Sequence, residues 1–292
     1  METALHPGLA RARQLVGAAT LAGRLPAAGW RLLECGCGTR RQFAQAHIPG
    51  AGYLDTCEVE SEPLWNKVPD DVLLRVLLAH GIRHDTTVIL YGRNSLAAAR
   101  VAHLLLYAGV SDVRLLDGGF AAWQAGGRPC EQGAARPVPA AADFGIPFPA
   151  RPDYLVDMAG ARALLAQPDA ALVSIRSEAE FLGRVSGYGY IAARGDIPGA
   201  VWGRAGNDGD VNSMSAYQLA DGRMRPAGEI AAMWEGSDIT ANRRIAFYCG
   251  TGWRASMAFF YAWLMGWENI AVFDGGWMEW SAADSRSSCR IA

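Results

Sequence analysis

Ile245-Ala246-Phe247-Tyr248-Cys249-Gly250-Thr251-Gly252-Trp253-Arg254 is the stretch on which the reading of this chain turns. An apolar run of strand length ends in a cysteine, a short glycine-rich loop follows, and the residues after it read as a helix. That order puts a thiol at the carboxyl end of a buried strand, facing the N-terminus of a helix. Backbone N–H groups and the positive end of the helix dipole converge there, so a thiolate or a bound anion is stabilised. The setting marks Cys249 as a nucleophile rather than a packing residue.

Working outward, the same pattern occurs earlier in the chain. Val88–Trp123 aligns with Ile245–Trp280 without a gap: Tyr91 meets Tyr248, Ala98 meets Ala255, and Gly109 meets Gly266. Asp117-Gly118-Gly119 meets Asp274-Gly275-Gly276, and Trp123 meets Trp280. Upstream, Ala46-His47-Ile48-Pro49-Gly50-Ala51 corresponds to Gly195-Asp196-Ile197-Pro198-Gly199-Ala200. A repeat of this length is a duplicated domain rather than a solenoid. Prolines at 129, 137, 139, 147, 149 and 152 mark the join as an extended surface linker between the domains.

Within each half, short apolar strands alternate with helices. The second half reads as strands at Ala171–Ile175, Arg244–Tyr248 and Ile270–Phe273, with helices at Ala227–Glu235 and Ala255–Met265. The first half repeats this with strands Trp30–Cys35, Thr87–Tyr91 and Val113–Leu116 and helices Val72–His80 and Leu96–Tyr107. The expectation is an α/β fold of two tandem domains, each a parallel sheet with helices on both faces. Residues 1–125 form a domain without the nucleophile, 126–152 the Pro-rich linker, and 153–292 the catalytic domain. Ligands of such sheets bind beyond the carboxyl ends of the strands, where Cys249 sits. The duplication is asymmetric there, because Gly92 occupies the place of Cys249. The first domain then needs another role, such as covering the cleft.

Composition bounds the rest. The 292 residues are 51% hydrophobic, enough for real cores, and a net charge of −2 gives no footprint for nucleic acid or an anionic membrane. No apolar run is long enough to span a bilayer. Arg11, Arg13 and Arg24 interrupt the N-terminus, so it reads as an uncleaved helix rather than a signal peptide. The cysteines at 35, 37, 57, 130, 249 and 289 read as free thiols of a cytoplasmic protein, not a disulfide framework. Cys35-Gly36-Cys37 lacks a second pair or nearby histidines for zinc and reads as two ordinary, mostly buried thiols. Cys289 reads as an exposed thiol of the polar tail.

These residues resemble the rhodanese family, specifically its two-domain sulfurtransferases, over nearly the whole chain. The resemblance rests on both Ile-Pro-Gly-Ala motifs, both Asp-Gly-Gly corners, and an active-site loop in the second half alone. Cys-Gly-Thr-Gly-Trp-Arg is most similar to the Cys-Gly-Ser-Gly-Val loop of 3-mercaptopyruvate sulfurtransferases; thiosulfate enzymes often carry Cys-Arg-Lys-Gly-Val. The resemblance implies that Cys249 takes sulfane sulfur from thiosulfate or 3-mercaptopyruvate, holds it as a persulfide, and passes it to cyanide or a thiol. No metal or organic cofactor is needed. Gly250 and Gly252 permit the backbone angles of an N–H nest over residues 250–254. Two other readings remain: a persulfide relay serving a protein partner, and phosphatase or arsenate reductase chemistry. The second arises because Arg254 closes the loop as in Cys-x5-Arg enzymes, although four residues intervene here instead of five.

The resemblance also nominates partners for the cysteine. It implies a proton relay from Thr251 to His47 and to Glu34, the latter standing where the family has aspartate. Alternatively, His47 caps a turn and Glu34 is a solvated or locally paired carboxylate. An anionic donor calls for an arginine clamp. Arg176 matches the family's Asp-x-Arg motif, with Ser174 in place of the aspartate, and Arg204 and Arg184 are further candidates on loops. Trp253 narrows the mouth of the site, stacks on a substrate, or packs under the first domain, with packing favoured. Asp274-Gly275-Gly276 is a tight structural turn, since its twin persists where the cysteine is absent.

Overall fold

The structure, a computed structural model, describes residues 6, 8–25 and 29–288, the last five without side chains. Cys289 lies outside the described residues. The first half runs β1 (Leu15–Val16), α1 (Ala18–Ala22), β2 (Trp30–Gly36), α2 (Arg40–Gln45), β3 (Gly52–Asp55), β4 (Glu60–Ser61), β5 (Asn66–Lys67), α3 (Asp70–Ala79), β6 (Thr87–Tyr91), α4 (Ser95–Ala108), β7 (Asp112–Leu116) and α5 (Gly119–Ala125). The second runs β8 (Leu155–Val156), α6 (Met158–Leu165), β9 (Ala170–Ser174), α7 (Glu178–Phe181), β10 (Val201–Trp202), α8 (Ala227–Glu235), β11 (Arg244–Tyr248), α9 (Trp253–Leu264), β12 (Ile270–Phe273) and α10 (Gly276–Ser288).

Two five-stranded parallel sheets result, ordered β1-β7-β6-β2-β3 and β10-β9-β11-β12-β8. The second order is the first read backwards, strand for strand, as duplication demands. Two sequence expectations are corrected. The described N-terminal residues do not form one helix: a 3-10 turn at Ala12–Gln14 leads into β1, which pairs in register with β7 (Leu15 with Leu115), and then into α1. The strand forms because its apolar pair, Leu15-Val16, closes an otherwise open sheet edge. The final helix of the cysteine loop begins at Trp253, not Ala255, so Trp253 and Arg254 belong to its first turn.

Strand parity divides the core. Every second residue of β6 and β11 faces inward: Val88, Leu90, Ile245, Phe247 and Cys249 share one cluster with α3, α4, α8 and α9. The alternate residues face outward: Ile89 and Tyr91 pack with α2 and α5, and Ala246 and Tyr248 with α6 and α10. Helices α4 and α9, equivalent by the duplication, pack on one another between the sheets and are buried almost throughout. One continuous apolar core therefore joins the halves. Residues 126–151 carry no helix or strand and lie over the first domain. They are tied down by paired backbone hydrogen bonds between Glu131 and His47 (2.9 and 3.0 Å) and by Ala150 and Arg151 N–H donating to Ala108 and Tyr107 carbonyls.

Candidate active site

Cys249 lies one residue beyond β11 and is 1% exposed. Inward parity points its sulfur at the seam between the halves. The Gly252 N–H donates to Cys249 Sγ at 3.2 Å. Gly252 holds φ +101°, the left-handed region that turns its N–H back on the sulfur and starts α9 directly after it. The twelve residues of α9 aim their positive end at the thiol. The Asp274-Gly275-Gly276 corner fixes the loop from below: at the start of α10, Trp277 N–H donates to the Cys249 carbonyl (2.8 Å) and Met278 N–H to the Gly250 carbonyl (3.1 Å).

The rest of the nest differs from expectation. The Gly250 N–H is already committed to the Tyr188 hydroxyl at 2.8 Å. A Cβ on Gly250 would fall 2.2 Å from the Tyr188 ring, so the glycine is there to admit the tyrosine. Arg254 borders the cavity, but its terminal nitrogens are already engaged. Its guanidinium forms a fork on Glu180, both bonds 2.8 Å, and donates to the Tyr188 hydroxyl at 2.5 Å. Burial opposes its charge, but Tyr188, Glu180 and Cys249 together hold its pKa well above the ordinary arginine value. Burial also disfavours an ionised Glu180; hydrogen bonds from Arg254 and the Ser177 N–H, with the charge of Arg176, outweigh that and hold its pKa low. Arg254 thus tethers the first turn of α9 to α7.

A cavity of about 310 Å³ opens in front of the sulfur. Thr251, Trp253, Tyr188 and Tyr190 line it from the second half, and Glu60, Trp65, Leu96 and Cys37 from the first, so the first domain does supply a wall. Tyr190 lies beside Thr251, and burial raises its pKa. Trp253 lines the cavity, and its indole N–H donates to Glu60 at 2.7 Å across the seam. Behind Glu60 lies Arg100, fully buried on α4, bonded to Glu60 (3.0 Å) and paired with Asp274 (2.6 Å). A Cβ on Gly252 would touch Arg100 Nη1 at 3.1 Å, so this cation sits directly beneath the cysteine loop.

The relay expectation is corrected. His47 and Glu34 do not line the cavity. On β2, Leu33 and Cys35 face inward, which sends Glu34 to the outer face with Tyr91. Glu34 accepts from Arg93 at 2.9 Å; burial raises its pKa despite the charge of Arg93. His47 stacks on Phe43 (4.0 Å between centroids), and its Nδ1 pairs with the Phe43 carbonyl at 2.9 Å. The alternatives of a turn histidine and a locally paired carboxylate describe both residues.

The arginine clamp is corrected on the same grounds. Arg176 is fully buried on the outer face, bonded to the Gly195 (2.5 Å) and Ser186 (3.0 Å) carbonyls and to Asp196 (3.2 Å). Arg184 is exposed, 3.6 Å from Glu178, and Arg204 is exposed over Trp202. None of the three lines the cavity. Sequence reasoning missed Tyr188, Tyr190, Glu180, Glu60 and Arg100. The alternation Gly187-Tyr188-Gly189-Tyr190 was a visible signal for the first two: aromatic rings set between glycines suit a close approach to backbone.

With this geometry in place, comparison with known proteins is decisive for kinship. The model of the rhodanese-like domain matches twice, over residues 18–126 and 157–283. The chain belongs to the rhodanese family. It is 54% identical over 257 residues to the thiosulfate sulfurtransferase YnjE of Escherichia coli K12, covering 88% of this chain and 59% of that protein. The chain thus spans rather less than two thirds of that relative's length. The crystal structure of YnjE superposes with TM-score 0.90 at 51% identity, covering 94% of this chain and 67% of that one. A probable 3-mercaptopyruvate sulfurtransferase of Pseudomonas aeruginosa is 32% identical over 288 residues, covering 91% of this chain and 94% of its own length. The anaerobic ergothioneine biosynthesis enzyme of Chlorobium limicola, solved with trimethyl histidine, superposes with TM-score 0.88 at 37% identity, covering 94% and 69%. Among the described residues of this rhodanese, no helix is long and apolar enough to cross a membrane.

Proposed function

We propose that this rhodanese is a sulfurtransferase in which Cys249 carries the sulfur. The observation that carries the reading is the placement of Cys249 Sγ at the head of α9, 3.2 Å from the Gly252 N–H, in a cavity closed by both halves. Cys249 thiolate attacks the outer sulfur of thiosulfate, breaking its S–S bond and releasing sulfite, or the thiol sulfur of 3-mercaptopyruvate, breaking its C–S bond and releasing the enolate of pyruvate, which takes up the thiol proton. The persulfide anion rests against the Gly252 N–H and the helix end. A thiolate or cyanide then attacks the outer sulfur and Cys249 leaves as thiolate, a ping-pong sequence. The names of the Escherichia and Pseudomonas relatives support both donors. A cytoplasmic location goes with this reading, since free thiols of this kind persist in a reducing compartment.

Phosphatase chemistry is disfavoured by the fork of Arg254 on Glu180, which commits both terminal nitrogens of that guanidinium to protein acceptors rather than to an oxyanion. A second acceptor class is favoured by the walls themselves. Trp65, Tyr188, Tyr190 and Trp253 with the Glu60 carboxylate suit a flat or cationic organic acceptor. The Chlorobium relative was solved with such a molecule.

Intact-protein mass spectrometry with peptide mapping, after brief exposure to each donor, tests the reading. One added sulfur on Cys249, absent from Cys249→Ser, is the expected result. Added sulfur with neither donor would overturn it. Comparing cyanide, small thiols and an imidazole betaine as acceptors then decides the acceptor class.

A further inference from the structure

A second sulfur centre stands at the wall of the cavity. Inward parity on β2 places Cys35 in the core, and two residues on, past the strand end, Cys37 emerges on the same side and lines the cavity with Cys249. Cys37 and Cys57 are both exposed and free, with their sulfurs 3.9 Å apart, in van der Waals contact. The expectation that Cys37 is an ordinary buried thiol is thereby corrected.

This contact is built, not incidental. Asp55 accepts from the Cys57 N–H (3.2 Å) with one oxygen and from the Gly38 N–H (3.0 Å) and the Tyr53 hydroxyl (3.2 Å) with the other. One carboxylate thus clamps together the two loops that carry the thiols. Asp55 and Glu58 also cap the turn Thr56–Glu58 reciprocally, which holds Cys57 in place. Asp55 belongs to the same cluster, its oxygen within 4.8 Å of both sulfurs. Because both of its oxygens already serve backbone and hydroxyl donors, the thiol pair rather than the triad is the reactive unit.

Resting on the sulfurtransferase reading, we propose that Cys37 and Cys57 form an internal dithiol acceptor that removes sulfur from Cys249 and releases it as hydrogen sulfide. In the first step Cys37 thiolate attacks the outer sulfur of the Cys249 persulfide. The new bond makes Cys37 the persulfide, and Cys249 leaves as thiolate. In the second step Cys57 attacks Cys37 Sγ, the Cys37–S bond to the terminal sulfur breaks, and the Cys57 proton leaves with that sulfur. The products are a Cys37–Cys57 disulfide and sulfide. Two electrons pass from the two thiols to the sulfane sulfur, so no outside oxidant is needed. A dithiol reductant of the thioredoxin class reopens the disulfide for the next cycle.

The geometry suits the second step. Closing a disulfide brings the sulfurs to about 2.0 Å, and rotation about one χ1 moves a sulfur by about 3 Å. Both cysteines are exposed, so their side chains are not locked by core packing. Burial, then the neighbouring Cys37 and Asp55, push the Cys57 pKa up to about 12. A thiolate, not a thiol, attacks sulfur, so the closing step gains rate as pH rises towards that value, the Cys57 proton passing to the departing sulfide as the disulfide forms.

The test uses the full chain, reduced and then freed of external thiol, with one equivalent of thiosulfate or 3-mercaptopyruvate. Released sulfide is quantified, and sulfur adducts and disulfides are mapped by mass spectrometry. The expected result is up to one equivalent of sulfide, a Cys37–Cys57 disulfide, and Cys249 returned to the thiol. In Cys37→Ser the added sulfur stays on Cys249 and sulfide release falls at least tenfold. In Cys57→Ser the added sulfur stops on Cys37. A wild-type protein that keeps its sulfur on Cys249 while Cys37 and Cys57 stay reduced would overturn the dithiol and leave the sulfurtransferase standing. A protein that gains no sulfur at any cysteine would overturn both.

Discussion

Arg254→Lys separates an arginine that holds the fold from one that clamps a donor. In the structure Arg254 is 1% exposed and spends its two terminal nitrogens on Glu180 and Tyr188. Lysine keeps the charge but offers a point donor instead of a planar fork. At least one charged hydrogen bond is lost, worth about 1.5–3 kcal/mol, and burial leaves solvent little chance to replace it. For a domain this size, that shift lowers the melting temperature by about 3–10 °C. The assay pairs thermal unfolding with steady-state thiosulfate kinetics. The expected outcome is a lower Tm, a reduced kcat because Tyr188 loses a partner while positioning the Gly250 N–H, and a KM within about threefold of wild type. An unchanged Tm with KM raised tenfold, about 1.4 kcal/mol of donor binding, would refute the reasoning and restore the clamp.

Three further outcomes follow from the seam and the loop. Gly252→Ala is expected to cost about 1–3 kcal/mol of stability, since its φ is +101° and the new Cβ meets Arg100 at 3.1 Å. Sulfur loading of Cys249 should slow at least tenfold as the N–H turns away; stopped-flow loading at the wild-type rate would show that this N–H does not support the thiolate. Arg100→Met strands the buried Glu60 and Asp274 carboxylates and is expected to cost about 3–5 kcal/mol in chemical denaturation. His103 of α4 packs edge-on to Phe259 of α9, and burial, then the charge of Arg100, lower its pKa from 6.5 to about 4. The folded-state pKa is depressed, so its contribution is present above pH 6.5 and is lost as pH falls through about 4. That window is worth about 3 kcal/mol, and His103→Gln, which can still donate to the Tyr154 carbonyl, should flatten the stability profile across it. A wild-type profile already flat between pH 7 and 4 would contradict the burial.

The sequence by itself determined the parallel α/β halves, their duplication and the cysteine proposed as nucleophile. Each is written locally: alternation of apolar residues along β6 and β11, glycine punctuation after each strand, and a cysteine in one copy where the other has Gly92. Motif matching failed where the answer depended on which face of a sheet a residue occupies. Glu34, His47 and Arg176 sit at the right places along the chain, yet parity turns Glu34 outward, and all three are bound within outer-face clusters away from the cavity. The same parity brings Cys37 to the cavity, a result readable from β2 once its register is known. Glu180, Glu60 and Arg100 carried no local signal of function, because their roles exist only through contacts with residues 40 to 193 positions away. The tertiary structure alone decided what surrounds the sulfur: packing α4 on α9 buries apolar surface that neither half can cover, and that packing brings the first domain's Glu60, Trp65 and Cys37 to the cysteine of the second.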